Sequence, residues 1–191
     1  MADPQEVEIK FRVEDVEALE SKLRKIGFRQ KTPPTHEVNK LYDLPGNPLR
    51  NQGEILRIRK YGEEWKLTHK ARGQDGRHKT RIERETSVGS GEQMDGILRA
   101  LGYAPMFIYE KYRSEWSDGV GEVVIDRTPI GDIAEIEGKS DWIDDTAGKL
   151  GVAHDKYITK SYGALFYEWR QDAHSTAGNM TFAELNVAPP F

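Results

Sequence analysis

The residues that could do chemistry are charged side chains that recur at every second position. Glu6, Glu8 and Lys10 alternate with apolar residues in segment 6–13. Successive side chains of a strand point to opposite faces of a sheet, so a period of two is typical of a strand. The segment is therefore predicted to be a strand with one apolar face and one ionic face.

Six further segments alternate in the same way. Their in-phase charged residues are Arg57, Arg59, Lys66, Lys70, Lys79, Arg81, Glu83, Glu85, Lys111, Arg113, Asp126, Glu135 and Glu137. A single ionic face would normally be solvated on an open antiparallel sheet. Seven such strands, with helices that need an apolar sheet face to cover, favour a sheet that closes into a barrel. The ionic faces would then line its interior.

A charged interior needs ligands or ion pairs, because an unpaired buried charge is costly. Arginine and lysine suit a multiply charged anion, and arginine forms forked contacts with phosphate oxygens. Carboxylates at alternate strand positions lie roughly 7 Å apart and can share a hard divalent cation. The pattern therefore indicates a site for a polyphosphate with Mg²⁺ or Mn²⁺.

Helices are predicted over 15–26, 92–101, 141–151 and 158–170 from their apolar periodicity and end signals. Asp15 is a suitable N-cap for the first helix. Segments 23–28 (Leu-Arg-Lys-Ile-Gly-Phe) and 98–103 (Leu-Arg-Ala-Leu-Gly-Tyr) are similar, which indicates a duplicated unit. Segment 29–54 contains four prolines and is predicted to form loops around a short strand near 40–43. Segment 71–78 is predicted to be a loop.

Composition excludes several classes of protein. The 191 residues carry a net charge of −4, with 31% charged and 37% hydrophobic residues. This balance argues against a general nucleic-acid binder, which needs a surplus of basic residues. The longest apolar runs have four residues, whereas a membrane span needs about 20. There are no cysteines, which removes thiolate sites and, with no visible signal peptide, fits a cytoplasmic protein.

The ordered set of charged strands resembles the CYTH superfamily, also called triphosphate tunnel metalloenzymes. Glu6-Val7-Glu8-Ile9-Lys10 matches its ExExK signature, and the match ends with Thr159-Lys160-Ser161-Tyr162. The resemblance implies an α+β fold: a closed eight-stranded antiparallel β-barrel with a polar interior and helices packed outside. It spans about 4–170, and the remaining tail, 171–191, is expected to be irregular.

The resemblance also implies roles for individual residues. The metal-binding carboxylates would be Glu6, Glu8, Asp126, Glu135 and Glu137. The phosphate-binding residues would be Lys10, Arg57, Arg59, Lys66, Arg81, Lys111, Arg113 and Lys160, with Lys156 competing for the place of Lys160. Catalysis would depend on Glu6, Glu8, Lys10 and Arg113. Glu83 and Glu85 would orient basic side chains.

The sequence is most like the class IV adenylyl cyclases of this superfamily, which form cyclic AMP and pyrophosphate from ATP. The alternative is a triphosphatase acting on inorganic, thiamine or nucleoside triphosphate, and a third hypothesis is a non-catalytic polyphosphate sensor. Each implies a small triphosphate as partner, and neither a nucleic acid nor a membrane. Whether the chain forms a homodimer stays open.

Overall fold

The computed structural model describes residues 5–74 and 76–191, so residue 4, where the predicted domain begins, lies outside the described part. The strands are β1 Gln5–Arg12, β2 Arg29–Asp43, β3 Ile55–Tyr61, β4 Glu64–Lys70, β5 Lys79–Val88, β6 Ala104–Ser117, β7 Glu122–Thr128 and β8 Gly131–Glu137. The α-helices are α1 Val16–Lys25, α2 Pro48–Gln52, α3 Gly91–Ala100, α4 Ser140–Leu150 and α5 Tyr162–Asp172, with a 3₁₀-helix at His154–Lys156. All seven alternating segments are strands, as predicted.

The eight strands form one closed antiparallel barrel, in the order β1-β5-β4-β3-β2-β6-β7-β8. The largest apolar core lies outside this barrel, where Ile9 and Ile136 on the strands pack against Leu23 of α1 and Ile143 of α4. The apolar strand faces therefore point outward to the helices, and the ionic faces point inward. This confirms the predicted fold. The longest helices have eleven residues, and none in the described chain has the length and apolar character of a membrane crossing.

The strand order supports the duplication. Exchanging β1–β4 with β5–β8 reproduces the same ring of neighbours. The helices that follow β1 and β5 also end alike: Gly27 and Gly102 have φ of 97° and 93°, which glycine adopts without strain. In each case the N–H of the following aromatic residue donates to a leucine carbonyl, Phe28 to Leu23 and Tyr103 to Leu98, at 3.0 Å.

The prediction of loops over 29–54 was wrong for its first half, because β2 is the longest strand, with 15 residues. Pro33 and Pro34 fall where the register between β2 and β6 shifts, between Thr32 and Thr35. Proline lacks the N–H that a ladder needs, and a bulge tolerates it. The short helix α2, with Pro48 in its first turn, was also not predicted.

The last helix begins at Tyr162 and not at residue 158. Ile158 instead pairs with Lys10 of β1 through two backbone hydrogen bonds of 2.8 Å. After α5 the tail contains turns and one isolated bridge, between Met180 and Tyr109. Met180 and Phe182 are nevertheless buried, so this tail packs on the barrel.

Candidate functional site

A cavity of about 540 Å³ lies inside the barrel and is here called the tunnel cavity. Eight cations and eight carboxylates line it: Lys10, Arg57, Arg59, Lys66, Lys70, Arg81, Lys111 and Arg113, with Glu6, Glu8, Glu83, Glu85, Glu115, Glu122, Glu135 and Glu137. Eleven of the thirteen predicted site residues are in this set. Asp126 and Lys160 are not.

On the β1 and β8 side, Lys10 holds two carboxylates. Its Nζ lies 2.7 Å from Glu8 Oε1 and 3.4 Å from Glu135 Oε1. Burial alone would lower the pKa of Lys10, but Glu135 and Glu8 raise it above its ordinary value. Burial alone would likewise raise the pKa of Glu135, but Lys10 and Arg113 hold it well below the usual range. These groups are therefore charged in the folded protein.

Glu6 is held by two cations from the neighbouring strands β4 and β5. Lys70 Nζ lies 2.9 Å from Glu6 Oε1, and Arg81 Nε lies 3.0 Å from Glu6 Oε2. Burial would raise the pKa of Glu6, but Lys70 and Arg81 lower it to about 2. All three charged residues of the ExExK signature, Glu6, Glu8 and Lys10, are thus held in ion pairs.

Asp126 lies behind the cavity surface and is completely buried. Arg113 donates to both of its carboxylate oxygens, at 2.7 and 2.6 Å, and Lys111 donates at 2.8 Å. The Tyr162 hydroxyl also donates to it. The structure therefore places this predicted metal ligand beneath two predicted phosphate ligands, where it holds them in position.

Glu37 of β2 is a member of this cluster that sequence reasoning missed. It is fully buried, and its carboxylate lies 3.5 Å from Lys111 Nζ, 3.7 Å from Arg59 and 4.0 Å from Arg113. Burial would raise its pKa, but these cations hold it well below its ordinary value. The surrounding residues are polar on both faces of β2, so the sequence carries no clear period-two signal here.

The opposite wall, on β3 and β4, is basic. Arg59 donates to Glu85 at 3.1 Å, and Lys66 lies 2.9 Å from the same carboxylate. Arg57 approaches Tyr109 and Thr68 at 3.5 and 3.3 Å. The Nε groups of Arg57 and Arg59 are buried without an acceptor among the described residues. Both arginine side chains line the tunnel cavity.

Lys160 and Lys156 are not brought into the tunnel cavity. Lys160 is half exposed, and its Nζ lies 2.5 Å from Glu168 of α5. Lys160 directly precedes Ser161, the N-cap of α5, and its side chain pairs with that helix.

The carboxylates at the β1–β8 edge have the donor chemistry that Mg²⁺ or Mn²⁺ requires. Glu8 on β1 and Glu122 on β7 are both register neighbours of Glu137 on β8. Burial and the neighbouring carboxylates Glu6 and Glu8 raise the pKa of Glu137 to about 7. The cations near this edge therefore do not balance its negative charge. Over residues 5–74 and 76–191, no three acidic or histidine side chains converge on one point. These carboxylates can therefore coordinate a cation only after their ion pairs with lysines and arginines have broken.

A second cavity of about 710 Å³ adjoins the tunnel cavity, and the two share Leu41, Ile55, Arg81, Ser161 and Gly163 in their walls. Its other walls combine apolar and aromatic side chains with four basic residues and three carboxylates. They include Met106, Phe107, Phe166, Tyr167, Arg50, Arg72, Lys79, Arg170, Asp43, Glu54 and Glu168. It can therefore accept a flat organic group next to a charged one.

With this geometry in place, comparison with known proteins identifies the family. The CYTH domain model matches residues 4–162. The chain belongs to the CYTH family. A protein of Methanocaldococcus jannaschii whose name gives it provisionally as an adenylate cyclase is 28% identical over 168 residues, which is 82% of this chain and 95% of that protein. Adenylate cyclase CyaB of Aeromonas hydrophila is 26% identical over 171 residues, 84% of this chain and 87% of that protein.

Solved structures show the same CYTH fold. A protein from Vibrio parahaemolyticus superposes with a TM-score of 0.77 at 20% identity and covers 87% of this chain and 99% of its own. A Hippeastrum protein superposes with a TM-score of 0.61 at 18% identity and covers 85% and 95%. The latter is described as an adenylyl cyclase candidate with a dominant triphosphatase activity.

Proposed function

We propose that this CYTH protein is a metal-dependent enzyme that acts on a triphosphate and converts ATP to cyclic AMP and pyrophosphate. One observation carries the proposal: eight cations and eight carboxylates face each other inside a closed barrel. Buried ion pairs contribute little net stability against apolar side chains. The composition of this wall is therefore better explained by ligand binding than by a contribution to the stability of the fold.

The phosphate ligands in this proposal are the basic residues of the tunnel cavity. Lys111 and Arg113 contact both of the buried carboxylates, Glu37 and Asp126. Arg59 contacts Glu37 and Glu85, and Arg57 contacts Glu83 and Glu85. A triphosphate of three to four negative charges would replace these carboxylates as the partner of the cations. As Lys111 and Arg113 turn to the phosphates, Asp126 would become free to join the metal ligands.

The metal ligands in this proposal are Glu6, Glu8, Glu135 and Glu137, with Mg²⁺ or Mn²⁺ as the ion. When bound, the metal would polarise the α-phosphate and lower the pKa of the ribose 3′-hydroxyl. Lys10, between Glu8 and Glu135, and Arg113 would hold the reacting phosphate in position.

The cyclase reaction forms a bond between the ribose 3′-oxygen and the α-phosphorus. The bond from that phosphorus to the β-phosphate bridging oxygen breaks, the hydroxyl proton passes to solvent, and pyrophosphate leaves. The negative charge on pyrophosphate grows in the transition state, so arginines and lysines aimed at it lower the barrier.

The second cavity favours an organic triphosphate. Its wall includes Phe107, Phe166 and Tyr167, whose rings can pack against a heterocycle. Because the two cavities share wall residues, one ligand can occupy both. Inorganic triphosphate would leave this apolar surface unused.

Triphosphate hydrolysis is the second candidate, because the Hippeastrum protein of the same fold is described with a dominant triphosphatase activity. Hydrolysis would use the same phosphate and metal ligands, with water replacing the ribose oxygen as nucleophile. A non-catalytic sensor would bind the triphosphate and leave it intact.

One assay separates these candidates. The purified protein is incubated with ATP or inorganic triphosphate and with Mg²⁺ or Mn²⁺, and the products are resolved by chromatography. Cyclic AMP with pyrophosphate supports the cyclase. Phosphate without cyclic AMP supports the triphosphatase and contradicts the cyclase. Binding without any product supports the sensor.

The double variant Glu6→Gln/Glu8→Gln tests the metal ligands. It is expected to stay folded, because neutral amides still accept hydrogen bonds from Lys70 and Arg81, and to lose metal-dependent turnover by at least about 100-fold. The matched control is Glu14→Gln, an exposed glutamate just after β1. Full activity of the double variant would remove these residues from the metal site.

A further inference from the structure

Lys79 stands at the border between the two cavities. It lies on β5 in phase with Arg81, and its register partner on β1 is Glu8. Arg81 lines both cavities, whereas Lys79 lines the second. Its position on the inward phase of β5 was recognised in the sequence, but the proposed reaction does not use it.

Lys79 differs from the tunnel cations in that no residue of the described ranges 5–74 and 76–191 supplies its counter-ion. Each of the eight cations of the tunnel cavity has a carboxylate oxygen within 4.0 Å. No carboxylate of the described residues lies that close to Lys79. The ion pair of a tunnel cation must break before that cation can bind a phosphate oxygen. Lys79 has no such ion pair with a described residue.

The charges around Lys79 leave it short of negative partners. Burial, Arg81 and Lys10 lower the pKa of Lys79 to about 8, and the opposing effect of Glu8 and Glu6 is too small to restore it. Arg72 lines the same cavity, again without a described carboxylate within salt-bridge distance. An oxyanion at this border would supply the missing charge.

The side chain of Lys79 is held in place by the loop before β5. A Cβ added at Gly73 would lie 3.4 Å from Lys79 Cε, so the loop backbone packs directly on the lysine stem. Gln74 and Thr80 pair across this loop, with a backbone N–H to oxygen distance of 2.8 Å. His78 anchors it to α4 through Asp144 at 2.8 Å. The ammonium is thereby positioned at the cavity border.

We propose that Lys79 binds a phosphate oxygen of the triphosphate substrate at the border between the tunnel cavity and the second cavity. This inference rests on the proposed function and adds a substrate-binding residue to it. Lys79 would hold the phosphate nearest the organic group, because the second cavity lies on that side.

The test is calorimetric titration of the metal-free protein with inorganic triphosphate, using wild type, Lys79→Met, Lys79→Arg and the exposed surface control Lys31→Met. Methionine keeps the packing on Gly73 and removes the charge. Lys79→Met is expected to bind about 10- to 100-fold more weakly, as for loss of a charge-assisted hydrogen bond. Lys79→Arg and Lys31→Met should stay within about threefold of wild type, because both variants keep a positive charge at position 79.

The outcomes separate the two proposals. Unchanged affinity in Lys79→Met, with wild type binding triphosphate normally, overturns the role of Lys79 and leaves the proposed function standing. Failure of wild type to bind triphosphate overturns both. If Lys79→Met unfolds in a thermal melt, Lys79→Gln takes its place in the titration, and unchanged affinity in Lys79→Gln overturns the inference.

Discussion

The β3–β4 and β7–β8 hairpins occupy equivalent places in the two halves of the barrel, yet their inward faces carry opposite charge. Each of the four strands has seven residues. The β3–β4 hairpin turns Arg57, Arg59, Lys66 and Lys70 inward, and the β7–β8 hairpin places Glu122, Asp126, Glu135 and Glu137 on the corresponding face. We call them the basic hairpin and the acidic hairpin.

This difference shows how one duplicated frame supplies two walls of opposite charge. The period of two fixes which positions face inward, while the side chains at those positions set the sign of the charge. In the free protein, residues from β1, β2, β5 and β6 pair with both hairpins: Glu85 with Arg59, and Arg113 with Glu135. The tunnel cavity is therefore close to neutral although each wall is strongly charged.

The largest effect is expected from removing one cation of the basic hairpin. Arg57→Met should lower kcat/KM for the triphosphate substrate by about 10²- to 10³-fold, because a preorganised donor to the phosphates is lost. Glu83 and Glu85 keep Lys70 and Arg59 as partners, so the variant should fold. The matched control is Lys60→Met, a lysine of β3 on the opposite face, over the Trp65 ring. Equal losses in the two variants would break the assignment of phosphate binding to the inward face.

The two halves also differ in how they cover a free strand edge. β2 and β6 each extend beyond their outer neighbour: β3 pairs with β2 only over Glu37–Tyr42, and β7 pairs with β6 only over Tyr112–Ser117. Prolines and a bulge interrupt the free part of β2, which discourages edge pairing. The tail covers the free part of β6, where Met180 pairs with Tyr109.

This second difference predicts that the tail contributes to stability. Met180 is fully buried, so Met180→Ala should lower the free energy of unfolding by about 2–4 kcal/mol, measured by urea denaturation. Val187→Ala, at a tail residue that is 38% exposed, should change it by less than about 1 kcal/mol. Similar small effects for both would mean that the tail does not support β6.

The smallest effect concerns the pH dependence of the acidic hairpin. The pKa of Glu137 is raised to about 7, so its protonated form is favoured by folding. The resulting stability is present below its unfolded pKa of 4.5 and is lost as pH rises through about 7. Glu137→Gln should therefore match wild type at pH 5 and exceed it at pH 8.

The gain at pH 8 should be about 1 kcal/mol at most, because Glu137 remains in contact with solvent although its carboxylate is partly desolvated. Solvent then screens its repulsion from Glu6 and Glu8. Thermal melts at the two pH values in metal-free buffer measure it, with Glu14→Gln as the exposed control. A variant less stable than wild type at pH 8 would contradict the excess negative charge assigned to this edge.

The sequence predicted the barrel and most of its wall, because alternation is a local signal. Glu6, Glu8 and Lys10 needed only their own strand to be assigned to the inward face. Glu37 could not be assigned to the inward face, because the prolines of β2 indicated a loop. The bulge that allows these prolines within a strand depends on pairing with β6, which the local sequence does not show. The alternation gives the face of Asp126 but not its depth beneath Lys111 and Arg113.

The central claim is that the basic hairpin binds phosphate. In the absence of metal, the acidic hairpin competes with phosphate for the cations of the tunnel cavity. Titration of inorganic triphosphate into metal-free Glu135→Gln tests this directly, because Glu135 lies 2.8 Å from Arg113 and 3.4 Å from Lys10. Removing its charge takes one carboxylate partner from each cation and leaves Lys10 with Glu8 and Arg113 with Asp126. We therefore predict affinity several-fold tighter than wild type, whereas Arg57→Met binds more weakly. If Glu135→Gln instead loses affinity to the same extent as Arg57→Met, the two hairpins do not divide the ligands and the account is contradicted.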